Sequence, residues 1–186
     1  MNLNALFELF ERASEAIGHQ DFVVIGSLSI LGLEESFSIP EDMCMSIDVD
    51  CYTKSDPPRI YELQAILGEN SAFHRSHHYY LNPVSPRLPT LPDDWQNRLL
   101  KVEKAKLRIW CLEPNDAAIA KYARGEPRDQ RWIRAGIFSG VLSLALIKSR
   151  LKTTSFLDTK EESIARSQID ADFDWFESIK NTRPKA

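Results

Sequence analysis

The sequence predicts an α/β core followed by a helical C-terminal half. Short apolar runs of strand length, such as Phe22-Val23-Val24-Ile25, alternate with helical segments in the first part of the chain. Beyond Pro114 the apolar residues recur almost entirely at helical spacing. We therefore expect an α/β core with an N-terminal helix at residues 1–113 and a helical region packed on it at 114–186, or one compact domain.

Periodicity and chain-breaking residues place the elements of the first region. We predict helices over 3–17 and from Pro57 to Gly68, one or two helical turns over 27–33, and strands at 22–25, 46–52, 77–82 and 107–112. Proline is too frequent between 83 and 92 for a helix or a central strand, so this stretch is expected to be extended.

The second region is predicted to contain three helices. They span 114–124, 128–151 with one continuous apolar side, and about 160–180. Three aromatic residues lie near the end of the last helix, namely Phe173, Trp175 and Phe176. These aromatics favour a homodimer or partner interface on the helices at 128–180.

Composition narrows the class of protein. With 186 residues and 43% hydrophobic content, the chain is long and apolar enough to bury a core. A net charge of −4 argues against coating nucleic acid by bulk electrostatics, although a local basic cleft remains compatible with it. The three cysteines have no metal-site spacing, and no apolar run is long enough to span a bilayer. We expect reduced thiols, a cytoplasmic location and no membrane.

Two carboxylates one residue apart are the strongest chemical signal. Asp48 and Asp50 share one face if their run is a strand, and two adjacent anions repel unless a cation lies between them. Mg²⁺ prefers such oxygen ligands and keeps positions open for phosphates. Gly26 allows close backbone approach, and the Ser27 hydroxyl can donate to a phosphate oxygen. Together these residues predict nucleotidyl transfer.

The same pair has a structural alternative, because two exposed acids on an edge strand need no ligand. The apolar neighbours Ile47 and Val49 argue against it, since they predict a partly buried strand where unpaired acids are costly.

A family resemblance rests on an ordered set of motifs across roughly residues 20–145. The motifs are the turn Val24-Ile25-Gly26-Ser27, the strand Ser46-Ile47-Asp48-Val49-Asp50, the segment Leu91-Pro92-Asp93-Asp94-Trp95-Gln96-Asn97-Arg98-Leu99, the run Cys111-Leu112-Glu113-Pro114-Asn115-Asp116, then Lys121 and Arg128-Asp129. In this order they resemble small bacterial nucleotidyltransferase-like proteins related to the AbiEii and MenA toxin group. The resemblance implies a nucleotidyltransferase-like mixed β-sheet flanked by helices.

The resemblance also implies roles for individual residues. Asp48 and Asp50 would bind Mg²⁺ or Mn²⁺, and the substrate would be an NTP. Lys121 would contact a nucleotide phosphate together with Arg128, and Asp129 would be a second acid near the cleft. The structural alternatives are a solvated helix lysine and an ordinary ion pair at a helix start.

One departure from the family pattern leaves two functions open. The strand that carries a third carboxylate in many active members reads Tyr79-Tyr80-Leu81-Asn82 here, and an amide cannot act as a base. The first function is metal-dependent transfer of an NMP to an RNA (tRNA-like) or protein acceptor, with a toxin or phage-defence role and a cognate antitoxin. The alternative is a catalytically impaired binding module that senses a nucleotide or neutralises a toxin partner.

Aromatic and histidine side chains offer further contacts. Trp95 and Arg98 fit either a nucleotide clamp or core packing, and core packing is favoured for Trp95. The histidines His74, His77 and His78 lack the cysteine partners of a closed zinc site. On a strand His77 and His78 would face opposite sides, so substrate contact at a cleft rim or plain surface is favoured over zinc.

Overall fold

The computed structural model describes residues 1–34 and 36–182 and confirms the α/β class with a helical C-terminal half. The chain divides into two compact units. The first comprises Met1–Pro89 and Trp95–Glu113, and the second comprises Thr90–Asp94 and the residues from Pro114 onward. Each unit has its own elements and core, so each is described separately.

Over its described residues, the first unit contains one five-stranded sheet with three α-helices and several 3₁₀ turns. Its helices are α1 (Leu3–Ile17), α2 (Gln64–Leu67) and α3 (Ala72–His77), and its strands are β1 (Asp21–Val24), β2 (Asp48–Thr53), β3 (Tyr80–Pro83), β4 (Leu100–Lys104) and β5 (Leu107–Cys111). Its 3₁₀ helices are Ser27–Leu33, Glu41–Met43, Pro57–Leu63 and Trp95–Arg98.

The sheet is mixed, with the strand order β3-β2-β1-β5-β4. The central strand β1 runs antiparallel to β2 and parallel to β5, while β2 and β3 are parallel. The start of β2 therefore lies beside the end of β1, and the start of β3 lies beside the start of β2. The end of β1 and the starts of β2 and β3 therefore lie side by side at one end of the strands.

One face of the sheet forms the core of the first unit. Phe22 of β1 is fully buried and its ring lies 4.7 Å from that of Phe10 in α1. Val24, Ile109 and Cys111 are buried as well, and the register places them on the same face as Phe22. Because strand side chains alternate, the opposite face carries Asp48, Asp50 and Asn82 together with the buried Val23 and Tyr52.

The predicted strand at 77–82 is wrong at its start. Residues 72–77 form α3, whose N-cap Ser71 accepts a hydrogen bond from the His74 amide at 3.1 Å. His78 ends this helix in the left-handed conformation, at φ 63°, and β3 begins only at Tyr80. His77 and His78 therefore do not lie on a strand. Serine is a preferred N-cap residue, so the Ser71 cap favours a helix over a strand at this point of the chain.

Strand β4 is a finding that the sequence prediction missed. It pairs antiparallel with β5, and Ala105 takes the left-handed conformation in the turn between them, at φ 54°. Only Val102 of this strand is buried. Because its other side chains are largely polar and half-buried or exposed, the apolar signal of a strand is weak.

The second unit, as far as Thr182, is built from four α-helices and one 3₁₀ turn. They are α4 (Pro114–Arg124), α5 (Pro127–Ser139), α6 (Leu144–Arg150), the 3₁₀ helix Leu151–Thr153 and α7 (Thr159–Thr182). The predicted continuous helix at 128–151 is wrong, because it is broken between α5 and α6. Gly140 takes the left-handed conformation at φ 81°, and the hydroxyl of Ser143 caps the next helix.

Buried carboxylates join these helices. Asp172 of α7 is 1% exposed and accepts hydrogen bonds from the Tyr122 hydroxyl at 3.0 Å and from Arg134 Nε at 2.8 Å. Burial and this carboxylate raise the pKa of Tyr122. Asp116, fully buried in α4, is paired with Arg150 Nη1 at 3.0 Å. Charged hydrogen bonds thus fix α7 to α4 and α5, and α6 to α4.

A short segment of the chain before α4 also belongs to the second unit. Thr90–Asp94 lies there although it interrupts the first unit in sequence. Pro92 forms an isolated β-bridge with Thr154, and the Thr90 hydroxyl donates to Glu161 Oε1 at 2.9 Å. This proline-rich stretch is non-helical, as predicted.

The aromatic residues near the end of α7 lie against cations of the same unit. Lys148 Nζ is 4.4 Å from the Phe173 ring centre, and the Arg134 guanidinium is 4.7 Å from that of Trp175. Phe173 is 39% exposed. A homodimer at these helices stays a prediction. Over the described residues, no helix is both long and apolar enough to cross a membrane.

We predict that Asp172→Ala lowers the free energy of unfolding by about 3 kcal/mol, because it leaves the Tyr122 hydroxyl and Arg134 without their acceptor. Urea denaturation followed by circular dichroism measures the change. Asp174→Ala, at an exposed position of the same helix, is the matched control and should cost about 0.5 kcal/mol or less. Equal losses from the two substitutions would contradict the role given to Asp172.

Candidate active site

Two half-buried carboxylates lie where the end of β1 adjoins the starts of β2 and β3. Asp48 and Asp50 are the first and third residues of β2, so their side chains leave the same face of the sheet. Val49 between them is fully buried on the opposite face. Ile47 precedes the strand and is 50% exposed, so of the two apolar neighbours only Val49 supports a partly buried strand.

Each carboxylate accepts a hydrogen bond from a neighbouring side chain. The Ser46 hydroxyl donates to Asp48 Oδ1. Asn82 lies directly opposite Asp50 in the β2–β3 register, and its Nδ2 donates to Asp50 Oδ1 at 2.7 Å. These bonds orient the acids, and neither donor neutralises their charge.

Gly26 packs directly against Asp50. A Cβ atom built on Gly26 would lie 2.1 Å from Asp50 Oδ2 and 2.8 Å from Asp50 Cβ, so only glycine fits at this position. The backbone is tied as well, because the Ile25 amide donates to the Asp50 carbonyl at 3.0 Å. Ser27 follows at once and begins the 3₁₀ helix Ser27–Leu33, which confirms the predicted helical turns. The structure thus brings the Gly-Ser turn and the two acids together.

The residues present fit a hexacoordinate divalent cation that is completed by a substrate. Within the described residues, no three or more His, Cys, Asp or Glu side chains cluster closely enough to hold a metal ion. Mg²⁺ does not need such a cluster, because it is commonly bound by one or two carboxylates with substrate phosphates and water. Asp48 and Asp50 would supply those carboxylates, and Asn82 stands where the family pattern predicts a third acid.

The other predicted site residues belong to the second unit. Lys121 of α4 is buried, and its Nζ lies 3.1 Å from Asp129 Oδ1 and 4.8 Å from the ring centre of Trp132. Burial lowers the pKa of Lys121, and the pairing with Asp129 opposes that shift. Arg124 also binds Asp129, through Nε at 2.8 Å and Nη2 at 2.5 Å.

Asp129 is therefore an ionised acid inside a cationic cluster. Burial raises the pKa of Asp129, but hydrogen bonds from Arg124 and Lys121 outweigh it and hold the pKa below its usual value. Arg128 is exposed and its Nε donates to Glu126 Oε2 at 2.7 Å. The solvated-lysine alternative is wrong for Lys121. The nucleotide contacts of Lys121 and Arg128 and the catalytic role of Asp129 stay predictions.

Two residues of these clusters were not singled out from the sequence. Ser46 orients Asp48, and its signal was the Ser-x-Asp spacing, which brings a hydroxyl within reach of an acid two residues ahead. Arg124 holds Asp129 in a bidentate contact, and its signal was a basic residue directly before the helix break at Gly125. Trp95 is half-buried in the 3₁₀ helix Trp95–Arg98, so neither alternative for it is decided.

An open groove of about 480 Å³ lies in the first unit at the starts of β2 and β3. Ser46, which bonds Asp48, is part of its wall. Side chains that precede β2 and β3 supply most of the rest, among them Met45, Ile47, His78 and Tyr79, with Glu41 nearby. Sequence analysis anticipated histidines at a cleft rim but not this groove.

Glu8 of α1 contacts two ring side chains that line the groove, those of His77 and Tyr79. The Tyr79 hydroxyl donates to Glu8 Oε2 at 3.3 Å, and His77 Nε2 lies 3.2 Å from Glu8 Oε1. The His77 ring also stacks on Phe73, with ring centres 4.0 Å apart. Burial, reinforced by the Glu8 carboxylate, raises the pKa of Tyr79 to about 12, so this phenol stays protonated near neutral pH.

Comparison with known proteins gives one match. A family model described as nucleotidyltransferase of unknown function (DUF6036) matches residues 4–183, which spans both units. Neither a curated protein nor a solved structure matches the chain significantly. The relationship to the AbiEii and MenA toxin group therefore stays a prediction.

We predict that Gly26→Ala lowers the free energy of unfolding by about 2 kcal/mol, because the new methyl group overlaps Asp50. The backbone itself tolerates alanine, since Gly26 has φ −86°. A double-mutant cycle by thermal denaturation isolates the contact, because the same substitution should cost much less in an Asp50→Gly background. Equal penalties in both backgrounds would rule out the packing of Gly26 on Asp50 as the cause.

We also predict that Asn82→Asp makes thermal stability depend on Mg²⁺. Without metal, two carboxylates face each other across β2 and β3, and each kcal/mol lost should lower Tm by about 2–4 °C. Added MgCl₂ should restore Tm by more than it raises that of the natural protein. The control Asn82→Ser loses the hydrogen bond without adding charge and should respond to Mg²⁺ no more than the natural protein does. An Asn82→Asp variant indifferent to Mg²⁺ would contradict a metal site at the acid pair.

Proposed function

The chain belongs to the family of nucleotidyltransferases of unknown function DUF6036, and on this premise we propose that it is a metal-dependent nucleotidyltransferase that transfers an NMP from an NTP to a hydroxyl acceptor. The observation that carries the proposal is the acid pair on β2, with Gly26 packed against Asp50. A close turn beside paired carboxylates supplies both needs of the reaction, a phosphate cradle and a cation site.

Each residue of the first unit has a role in this proposal. Asp48 and Asp50 would hold Mg²⁺ or Mn²⁺, and the ion would supply neutralisation of the phosphate charge and activation of the attacking hydroxyl. Ser46 and Asn82 keep the carboxylate oxygens oriented through their hydrogen bonds. The Ser27 hydroxyl is the donor for a phosphate oxygen, and Gly26 lets that phosphate approach the backbone.

The proposed chemistry is an in-line displacement at the α-phosphorus. The acceptor oxygen forms a bond to that phosphorus, and the bond to the oxygen bridging the α- and β-phosphates breaks. Pyrophosphate leaves with the electron pair, and the acceptor proton passes to solvent. Asn82 takes no part in proton transfer because an amide is not a base, so its role is to position Asp50.

Further parts of the proposal come from the family resemblance alone. They are phosphate contacts by Lys121 and Arg128, an acidic role for Asp129, and a toxin or phage-defence setting with a cognate antitoxin. The acceptor in this setting is an RNA end or a protein side chain.

A second candidate function is a nucleotide-binding module without catalysis. The observation that favours it is Asn82, which stands opposite Asp50 where many active nucleotidyltransferases carry an acid. Calorimetry separates the two candidates. Tight binding of an NTP with Mg²⁺ and no product would favour the binding module, whereas pyrophosphate release would favour the enzyme.

We predict that Asp48→Asn and Asp50→Asn each lower label transfer from α-labelled NTPs by about two orders of magnitude or more, because each removes a charged metal ligand. The assay offers each of the four NTPs with MgCl₂ and a mixture of total tRNA and soluble protein. Chelation of the metal should reduce transfer in the natural protein to the level of these variants.

Asp56→Asn is the matched control, because it makes the same chemical change at an exposed aspartate of the first unit. It should transfer label as the natural protein does. Transfer that is equal in the natural protein and in an Asp48→Asn/Asp50→Asn double variant would show that the acid pair is not the catalytic centre.

A further inference from the structure

Two aromatic rings flank the acid pair on the β3 side of the sheet. Tyr80 lies directly opposite Asp48 in the β2–β3 register, as Asn82 lies opposite Asp50. Because Asn82 bonds the Asp50 side chain and side chains alternate along a strand, Tyr80 leaves the face of the sheet that carries both acids. The Tyr80 ring centre is 4.6 Å from that of His74 in α3, and both residues are half-buried. The acid face therefore carries an aromatic pair beside Asp48.

The aromatic pair and the proposed phosphate turn lie on opposite sides of the acids. Gly26, which follows β1, packs against the Asp50 side chain, and β2 lies between β1 and β3 in the sheet. In-line displacement places the attacking and leaving oxygens roughly opposite each other across the transferred phosphorus. With the pyrophosphate held at the Gly26 turn, the acceptor hydroxyl arrives from the β3 side, which Tyr80 and His74 flank.

Hydrogen bonds fix the orientation of His74. The Asn70 amide donates to His74 Nδ1 at 3.0 Å, and the His74 amide donates to the Ser71 hydroxyl at 3.1 Å. Because Nδ1 accepts a hydrogen bond, the neutral ring carries its proton on Nε2 and is a donor at that atom. His74 thus combines a flat ring with a donor of defined position, which suits the face and the edge of a planar heterocycle.

The chemistry of the pair suits a nucleobase. Tyrosine and histidine rings stack on unpaired bases, and stacking tolerates every base because each has a π-face. The charges around α3 agree with this. Its sequence has no carboxylate, Glu69 is exposed just before it, and the exposed Arg75 donates to the Asn70 carbonyl at 2.5 Å beside His74. Stacking needs no large positive patch, so it is compatible with a chain of net charge −4.

We propose that Tyr80 and His74 form the acceptor subsite of the acid pair and hold the terminal base of a single-stranded RNA end by stacking. The inference rests on the proposed function and deepens it, because it assigns residues to the acceptor and selects RNA over protein. A hydroxyl of the terminal ribose forms the bond to the α-phosphorus. Pyrophosphate leaves with the electron pair of the broken bond, the hydroxyl proton goes to solvent, and the RNA is longer by one nucleotide.

Removal of the Tyr80 ring tests the subsite. The full chain is incubated with α-labelled NTPs, MgCl₂ and either total tRNA or a peptide library with a fixed central Ser, Thr or Tyr. Tyr80→Leu should raise the KM for RNA by about tenfold or more, because the stacking of a base on the ring is lost. The KM for NTP, and NTP binding measured by calorimetry, should stay unchanged. Tyr80→Phe keeps the ring and should keep the natural KM for RNA.

Tyr61→Leu is the matched control, because it makes the same change at a tyrosine that is 49% exposed in the 3₁₀ helix Pro57–Leu63 of the first unit. It should leave both KM values unchanged. His74→Leu removes the second ring and should also raise the KM for RNA. If Tyr80→Leu does not fold, His74→Leu decides the question by the same criterion.

The remaining outcomes separate the two levels of the proposal. A Tyr80→Leu variant with a lower Tm and an unchanged KM for RNA would show that the rings only pack α3 against β3, which overturns the inference. Label in peptides and not in RNA would overturn the RNA acceptor and leave nucleotidyl transfer standing. If neither pool is labelled by the natural protein, the proposed function fails and the inference fails with it.

Discussion

The packing of Asp50 between Gly26 and Asn82 is the contact on which the candidate site depends. The Asp50 side chain, which belongs to β2, contacts Gly26 in the turn after β1 and accepts a hydrogen bond from Asn82 of β3. The backbone of the same residue accepts from Ile25. The carboxylate is half-buried, and its packing against Gly26 and the hydrogen bond from Asn82 fix its orientation. Asp48 and Asp50 are thus held on one face of β2, in the arrangement that the proposed metal site requires.

Much of this edge could be predicted because its signals are local. The period of two places Asp48 and Asp50 on one face, and Gly26 after an apolar run indicates a tight turn. Elements whose bounds are set by helix capping were harder to predict. Ser71 caps a helix over 72–77 that the prediction missed, and Gly140 divides a segment whose apolar spacing remains helical on both sides. The spacing of apolar residues indicates which face of an element is buried, but it does not indicate where the backbone turns.

Asp129 and Lys121 of the second unit show a second limit of prediction from sequence. An internal ion pair between helices and a pair that binds phosphate use the same residue types at the same spacing, so a pattern cannot tell them apart. In the structure Lys121 is buried against Trp132, and Asp129 is held by two cations. Desolvation makes such a cluster costly to break, so it contributes to the order of α4 and α5 whatever else it does.

The membership of Thr90–Asp94 in the second unit has a consequence for biosynthesis. The partners of this segment, Thr154 and Glu161, follow it by more than fifty residues in the chain. During translation the segment leaves the ribosome long before they do, whereas β4 and β5 can pair soon after emergence. The sheet of the first unit must therefore form while Thr90–Asp94 still lacks its partners Thr154 and Glu161. Vectorial synthesis thus favours an order in which the acid-bearing sheet assembles first and the helical unit secures Thr90–Asp94 last.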